Sequence, residues 1–320
     1  MAAMTKRISL RDIVLTAALN AVSAPPATFF YGGQAVIEGV LMRGRRHYAV
    51  AARRPDGRIV VCTDVLRSRV YTSAFWSKPF LRGVAGLIEM LHLGMRALQW
   101  SASVQLGEDA EIKPAAMRIA IATSVVFALL LFIGAPLALG ALLHRGTQSV
   151  TSVLIEGGIR ALILVGYLLL IGQVPNVRRL FRYHGAEHKS INCLESGAAV
   201  DVDHVRLNSR LHPRCGTGFL VVVAIVSIAV FAPLGLLPTW LRILFQVLLV
   251  PVVAAVSYEA IRALARIRHL AIGRALLVPV LSAQLLSTRE PDDKQIEVAI
   301  AALDAARAGE ATVGELVATP

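Results

Sequence analysis

Four of the eight histidines and two of the three cysteines fall between residues 173 and 216. Within that segment His184-Gly185-Ala186-Glu187-His188 has the order H-x-x-E-H. Two imidazoles at i and i+4 share one helical face and can meet one metal ion. A glutamate between them is placed to act as general base, the inverzincin arrangement. Pro175-Asn176 offers a helix start and Gly197 a stop, so a helix is expected over this stretch. On a continuous helix Cys193 lies about 180° around from His184 and points away from the pair. Glu195 returns to the His184 side, about 10 Å along the axis from His188. A better partner is His212-Pro213-Arg214-Cys215-Gly216, which returns just ahead of the next apolar segment. His184, His188, His212 and Cys215 form a mixed nitrogen–sulfur set suited to Zn²⁺ or another divalent transition metal, with Cys193 the weaker fifth candidate. Four protein ligands would make a closed, structural site; three and a water would leave it open, with Glu187 as the catalytic base. The competing reading is a hydrogen-bonded His/Cys network without metal. His204 reads as a local partner of Asp201 or Asp203 at a helix cap.

The elements that position these residues follow from composition. The 320-residue chain is 56% apolar and only 17% charged, with a mean hydropathy of +0.63. That excludes a disordered, collagenous or coiled-coil chain and disfavours a conventional soluble enzyme. Four stretches are long and apolar enough to span a bilayer: 117–143, 150–174, 218–237 and 241–260. A fifth, 271–286, is shorter and carries Arg274 and Pro279; it is expected to be interfacial, re-entrant or packed on a partner helix. Glu156 and Arg160, four apart in the second stretch, are expected to pair with each other.

The net charge of +12 is read as membrane topology rather than nucleic-acid binding. Fifteen Lys and Arg precede the first span, and Arg178, Arg179, Arg182, Lys189, Arg206, Arg210 and Arg214 lie in the 173–216 segment. Positive charge marks the cytoplasmic side. Both termini and the 173–216 loop are therefore expected in the cytoplasm, in a multi-pass cell-membrane protein with the lipid bilayer as its surroundings. Three scattered cysteines fit a reduced compartment. Residues 1–27 read as a poorly ordered or amphipathic leader, with a cleaved signal peptide the less favoured alternative.

Residues 28–116 form a cytoplasmic α+β region. Tyr48–Arg53 and Arg58–Asp64 read as strands around the turn Pro55-Asp56-Gly57. Pro79 opens a helix to about Ser103, with Phe80, Val84, Leu87, Leu91, Met95 and Leu98 at helical spacing. That stripe is expected to be a core face or to lie against the membrane. Residues 117–290 make a four-helix membrane domain, 291–308 a polar C-terminal helix and 309–320 a disordered tail. The fold class is thus mainly α, polytopic, with a small α+β N-terminal region.

Several strings together resemble one family. They are Gly32-Gly33-Gln34-Ala35-Val36-Ile37-Glu38-Gly39-Val40 with Met42-Arg43-Gly44; Tyr183-His184-Gly185-Ala186-Glu187-His188-Lys189 with Asn192-Cys193; His212-Pro213-Arg214-Cys215-Gly216-Thr217; and Thr288-Arg289-Glu290-Pro291. The chain is similar over roughly residues 29–302 to the YqhQ-like bacterial membrane proteins, a domain of unknown function often labelled a metal-dependent enzyme. The resemblance implies a metal and points to His184, Glu187, His188, Cys193, His212 and Cys215. Two function classes stay open. One is a membrane-embedded metal-dependent hydrolase. The other is a non-enzymatic scaffold or assembly factor, with a structural metal or a His/Cys network, that engages a protein partner through residues 28–116. Transport finds only the Glu156–Arg160 hint.

Overall fold

The computed structural model describes residues 31–107, 114–144, 149–267 and 269–317. The leader expected over 1–27 lies outside the described residues. Four strands form an antiparallel meander in chain order: β1 (Gly32–Val36), β2 (Gly39–Arg43), β3 (His47–Arg53) and β4 (Ile59–Val65). The expected hairpin is β3–β4, in the register Arg53↔Ile59 to His47↔Val65. Gly57, at φ 90°, takes the left-handed turn position that glycine accepts at no steric cost. The glycine-punctuated stretch before it adds two further strands.

Side chains alternate across the meander with period two. Val40, Met42, Ala49 and Ala51 face one helical layer, made by α5 (Pro175–Glu195) and α11 (Asp293–Val317). Leu41, Tyr48 and Val50 face the other, made by Leu93 and Ala97 of α1 (Leu81–Leu106). The N-terminal region, the middle loop and the C-terminal helix thus share one α+β core. The C-terminal helix extends past the expected end at Ala308 as far as Val317, where a disordered tail was expected. The Glu310 carboxylate accepts hydrogen bonds from the Arg46 and His47 N–H groups, at 2.6 and 2.9 Å, and holds the added turns on the sheet.

Below this module stand the apolar helices. The first is α2 (Pro114–Leu129), which continues through a π-helical turn at Leu130–Gly134 into α3 (Ala135–His144). α4 (Val150–Ile171) follows, capped by Ser149. After α5 and the short α6 (Val202–Leu207) comes α7 (Gly216–Phe231), prolonged by a 3₁₀ turn to Leu236. Among the described residues three helices are long and apolar enough to cross a membrane: Ala115–Leu143, Val150–Ile171 and Gly216–Leu236. The expected fourth span is broken: α8 (Thr239–Leu248) meets α9 (Val250–Arg266) at a 50° bend. The pair counts as one further span only if taken together. Pro251 stands in the first turn of α9, where proline fits a helix start and not a continuing one. α10 (Ala271–Ser287) buries Leu277, Val280 and Leu281, the last two beside α7 and the Leu211 loop. It is thus the partner-packed alternative among those expected for this segment.

Glu156 does not take Arg160 as its close ion-pair partner. Its carboxylate lies 3.0 Å from Arg242 of α8, with both side chains buried. Arg160 instead donates to the Phe132 carbonyl at 2.7 Å and lies over the Phe231 ring. The aromatic and aliphatic side chains of α8, including Trp240, Leu244 and Leu248, face outward while Arg242 and Gln246 face inward.

Candidate metal centre

α5 carries the H-x-x-E-H string as one uninterrupted helix, opened by Pro175 at its first turn and followed by Gly197 at φ 77°. The imidazoles of His184 and His188 meet with ring centroids 4.4 Å apart. The helix has a glycine at 185 because the strap 288–291 crosses it there. A Cβ at that position would run into the Arg289 carbonyl. The strap is fixed by the Arg289 N–H, which donates to Phe181 at 2.8 Å.

The loop before α7 delivers the third group. Asn192 donates to the carbonyls of Ser209 and Leu211 at 2.6 and 3.0 Å, tying the loop to α5. Gln284 of α10 clamps the His212 peptide from the other side, accepting from its N–H at 2.9 Å and donating to its carbonyl at 2.8 Å. Cys215 is then the N-cap of α7, its Sγ accepting from the Thr217 N–H at 3.3 Å. One ligand atom from each of His184, His188 and Cys215 lies within 4.8 Å of the others.

The two histidines are oriented from behind. His184 Nδ1 lies 2.9 Å from the Ser287 carbonyl, and His188 Nδ1 lies 2.6 Å from the Arg210 carbonyl. A carbonyl only accepts, so each Nδ1 carries the proton and each Nε2 is turned into the cluster. Such outer partners are what fix the tautomer of metal-ligating histidines. His184 Nε2 is 3.3 Å from Cys215 Sγ, close to the roughly 3.5 Å separating a nitrogen and a sulfur ligand on a tetrahedral zinc ion. The donor set therefore fits such an ion.

Electrostatics agree with a thiolate at Cys215. Burial pushes its thiol up, but the charges of His184 and His188 outweigh burial and hold it well below the usual thiol range. Burial pulls the His184 imidazole down, and the adjacent Cys215 reverses that, lifting it to about 9. The thiolate is the form of cysteine that binds metals. Glu187 Oε2 lies 3.5 Å from His188 Nε2 and 3.9 Å from His184 Nε2. Burial raises its carboxyl above the usual range against the pull of both histidines.

The other expected residues take different places. His212 stands one layer out, its ring 5.6 Å from that of His188, and it is not among the three convergent ligands. Burial pushes it down to about 4, and its Nε2 lies 3.7 Å from Glu195, which also pairs with Arg214. Cys193 is not brought to the cluster: its thiol lies in the sheet-side core and donates to the Ala199 carbonyl at 3.3 Å. The helical phase set out above accounts for that. His204 pairs with Asp201, the N-cap of α6, at 2.7 Å.

One contact was missed from the sequence. β1 lies against α5 so closely that a Cβ on Gly33 would stand 2.7 Å from Glu187 Cγ and 2.9 Å from Glu187 Oε1. Gly33 of β1 is thus a wall of the site. The glycine at 33 is its mark in the sequence, since only a residue without a Cβ lets β1 come this close to α5.

Apolar helices under a small α+β module with a buried His/His/Cys cluster define the class. The chain belongs to the family described as "Protein of unknown function (DUF1385)", which matches residues 78–308. It is 35% identical over 292 residues to the "Uncharacterized protein YqhQ" of Bacillus subtilis (strain 168), an alignment covering 86% of this chain and 91% of that protein. No solved structure matches the chain.

Proposed function

We propose that the chain is a multi-pass membrane protein whose cytoplasmic face carries a zinc-class metal centre on His184, His188 and Cys215, serving a hydrolase with Glu187 as general base. The observation that carries the centre is the pair of Nδ1–carbonyl hydrogen bonds, which turn both Nε2 atoms toward the Cys215 sulfur. A bound divalent ion supplies Lewis acidity. The chain's own part is positional: Glu187 Oε2, in reach of both imidazoles, takes a proton from a water and returns it to the leaving group.

The membrane reading is supported by an inside-out distribution of side chains. Ile119, Phe127, Leu130, Leu162, Leu170, Ile225 and Trp240 face outward. Glu156, Ser227, Arg242 and Gln246 are buried among the same helices. Sidedness follows from the cationic 173–216 segment. The centre then lies where α7 begins and α10 ends, at the cytoplasmic surface. A second reading, a scaffold with a closed structural site and a protein partner on residues 28–116, is favoured by burial alone: His188 is 1% and Glu187 3% exposed.

Elemental mass spectrometry of detergent-purified protein tests the centre. One equivalent of zinc or a related metal is expected in the wild type and in Glu187→Gln, with loss in His188→Ala and Cys215→Ser. No metal in well-folded wild type, even after Zn²⁺ is supplied, would sink the proposal. Cobalt substitution separates the two readings: an added hydroxamate should shift the visible bands of an open site and leave those of a closed site unchanged.

A further inference from the structure

The apolar stripe of α1 does not face the core. Gly83, Ala85, Leu93, Ala97 and Ser101 are the buried residues of this helix, a mostly small-residue face. Gly83 packs on the Tyr258 ring of α9, and Leu93 and Ala97 pack on the sheet. The large residues lie on the other side: Leu87 is 44%, Ile88 60% and Leu91 66% exposed. Phe75 and Phe80 are more than half exposed just ahead of the helix, and Lys78 Nζ stands 5.9 Å from the Phe75 ring centroid. Trp100 packs with Leu93 on the sheet, but Leu87, Ile88 and Leu91 together with two exposed phenylalanines leave an apolar patch that is covered by something.

We infer that this face of α1, with the Phe75–Phe80 knuckle, is embedded in the headgroup–acyl boundary of the bilayer as a monotopic element. The inference rests on the membrane reading above. Three features choose lipid over a protein partner or a second copy. The stripe starts where a broken span ends: Arg82 pairs with Glu259 of α9 at 2.5 Å, and the Phe80 N–H donates to the same carboxylate at 3.2 Å. The far end of α1 is joined through residues 107–113 to α2, the start of the first apolar helix. One end of the helix is therefore pinned to an apolar helix, and the other leads into one through a short connection. Thirdly, the stripe is bordered by the Phe75 and Phe80 rings and by Lys78, aromatic and cationic side chains of the kind that anchor at a bilayer interface.

The test uses the full chain with Cys62→Ser, because Cys193 and Cys215 are buried. An environment-sensitive fluorophore is placed singly at Ile88→Cys, Leu91→Cys, Phe127→Cys on α2 and Thr63→Cys on β4. The protein is reconstituted in phosphatidylcholine–phosphatidylglycerol vesicles. Labels at 88 and 91 should be quenched severalfold more by shallow doxyl-labelled lipid than by aqueous iodide, with position 63 showing the reverse. Quenching of 88 and 91 by iodide, as at 63, while 127 responds to lipid, overturns the inference and leaves the membrane reading standing. Protection of 88 and 91 from both quenchers assigns the face to protein and overturns it equally. Failure of 127 to respond to lipid removes the membrane reading, and the inference with it.

Discussion

Cys193 and Cys215 show how far residue type alone can be trusted. Both are buried thiols close to the H-x-x-E-H string, yet only Cys215 meets the histidines. Cys193→Ala should keep the full metal content of the wild type, while Cys215→Ser loses it; equal loss in both would show that the helical phase of α5 does not govern the ligand set. Gly33 is the complementary case, a residue with no chemistry that fixes one with chemistry. Gly33→Ala places a methyl group against Glu187 and against the Leu41 carbonyl of the neighbouring strand. Neither the strand nor the buried carboxylate yields cheaply, and overpacking of this kind costs on the order of 1–3 kcal/mol. The variant should melt several degrees below wild type and keep its metal, because none of the three ligands is displaced. An unchanged melting temperature would mean that β1 is not held against α5. The three convergent side chains and Glu187 were legible in the sequence because each is a distinctive side chain at a helical or loop-end position. The carbonyls of Ser287 and Arg210, which orient both histidines, were not, since a backbone acceptor leaves no mark on residue type.

At the scale of elements, helix periodicity reads partners on the same helix and is blind to those on another. The i,i+4 spacing of Glu156 and Arg160 suggested a pair, whereas the buried ion pair is made to Arg242, on a helix 86 residues further along the chain. The same blindness explains α1: its periodic stripe was visible, but the side on which the sheet would pack was not, and small residues won that side. The Glu156–Arg242 pair also has a mechanical sense. α8 presents Arg242 and Gln246 inward and apolar residues outward, so the pair and the Arg242–Ser152 hydrogen bond of 3.2 Å tether the bent helix to α4. Removing one buried partner strands the other charge, at a cost of about 3–5 kcal/mol. Glu156→Ala should therefore destabilise the purified protein more than the neutral double variant Glu156→Gln/Arg242→Gln does. Thermal unfolding in one detergent compares them directly, and a double variant as unstable as Glu156→Ala would show that the charges are not coupled.

For the whole molecule, the α+β module is assembled from three separated parts of the chain, with the apolar helices as the intervening connections. Strands β1–β4 and α1 come before the first apolar span, α5 and α6 come between spans, and α11 follows them all. On the proposed membrane reading, parts that share one core emerge on the same side of the bilayer, so an even number of crossings separates each from the next. Two crossings, α2–α3 and α4, lie between α1 and α5, in agreement with that requirement. Between α5 and α11, among the described residues, only α7 is long enough on its own; the membrane reading then assigns the return to the bent pair α8–α9, with α10 packed beside α7. On that reading, the shared core thus requires one side for all three parts, and the cationic loops choose which side that is. In a Cys62→Ser background, a cysteine at exposed Ser196, just past α5, should react with a membrane-impermeant maleimide only after permeabilisation. A cysteine at exposed Thr239, which opens α8 beyond the end of α7, should react in intact cells. A cysteine at exposed His269, between α9 and α10, should react only after permeabilisation, and its labelling in intact cells, as at 239, would mean that the bent pair re-enters without crossing. α10 would then have to make the return crossing with its 17 residues, about 25 Å of helix against a hydrocarbon core of about 30 Å.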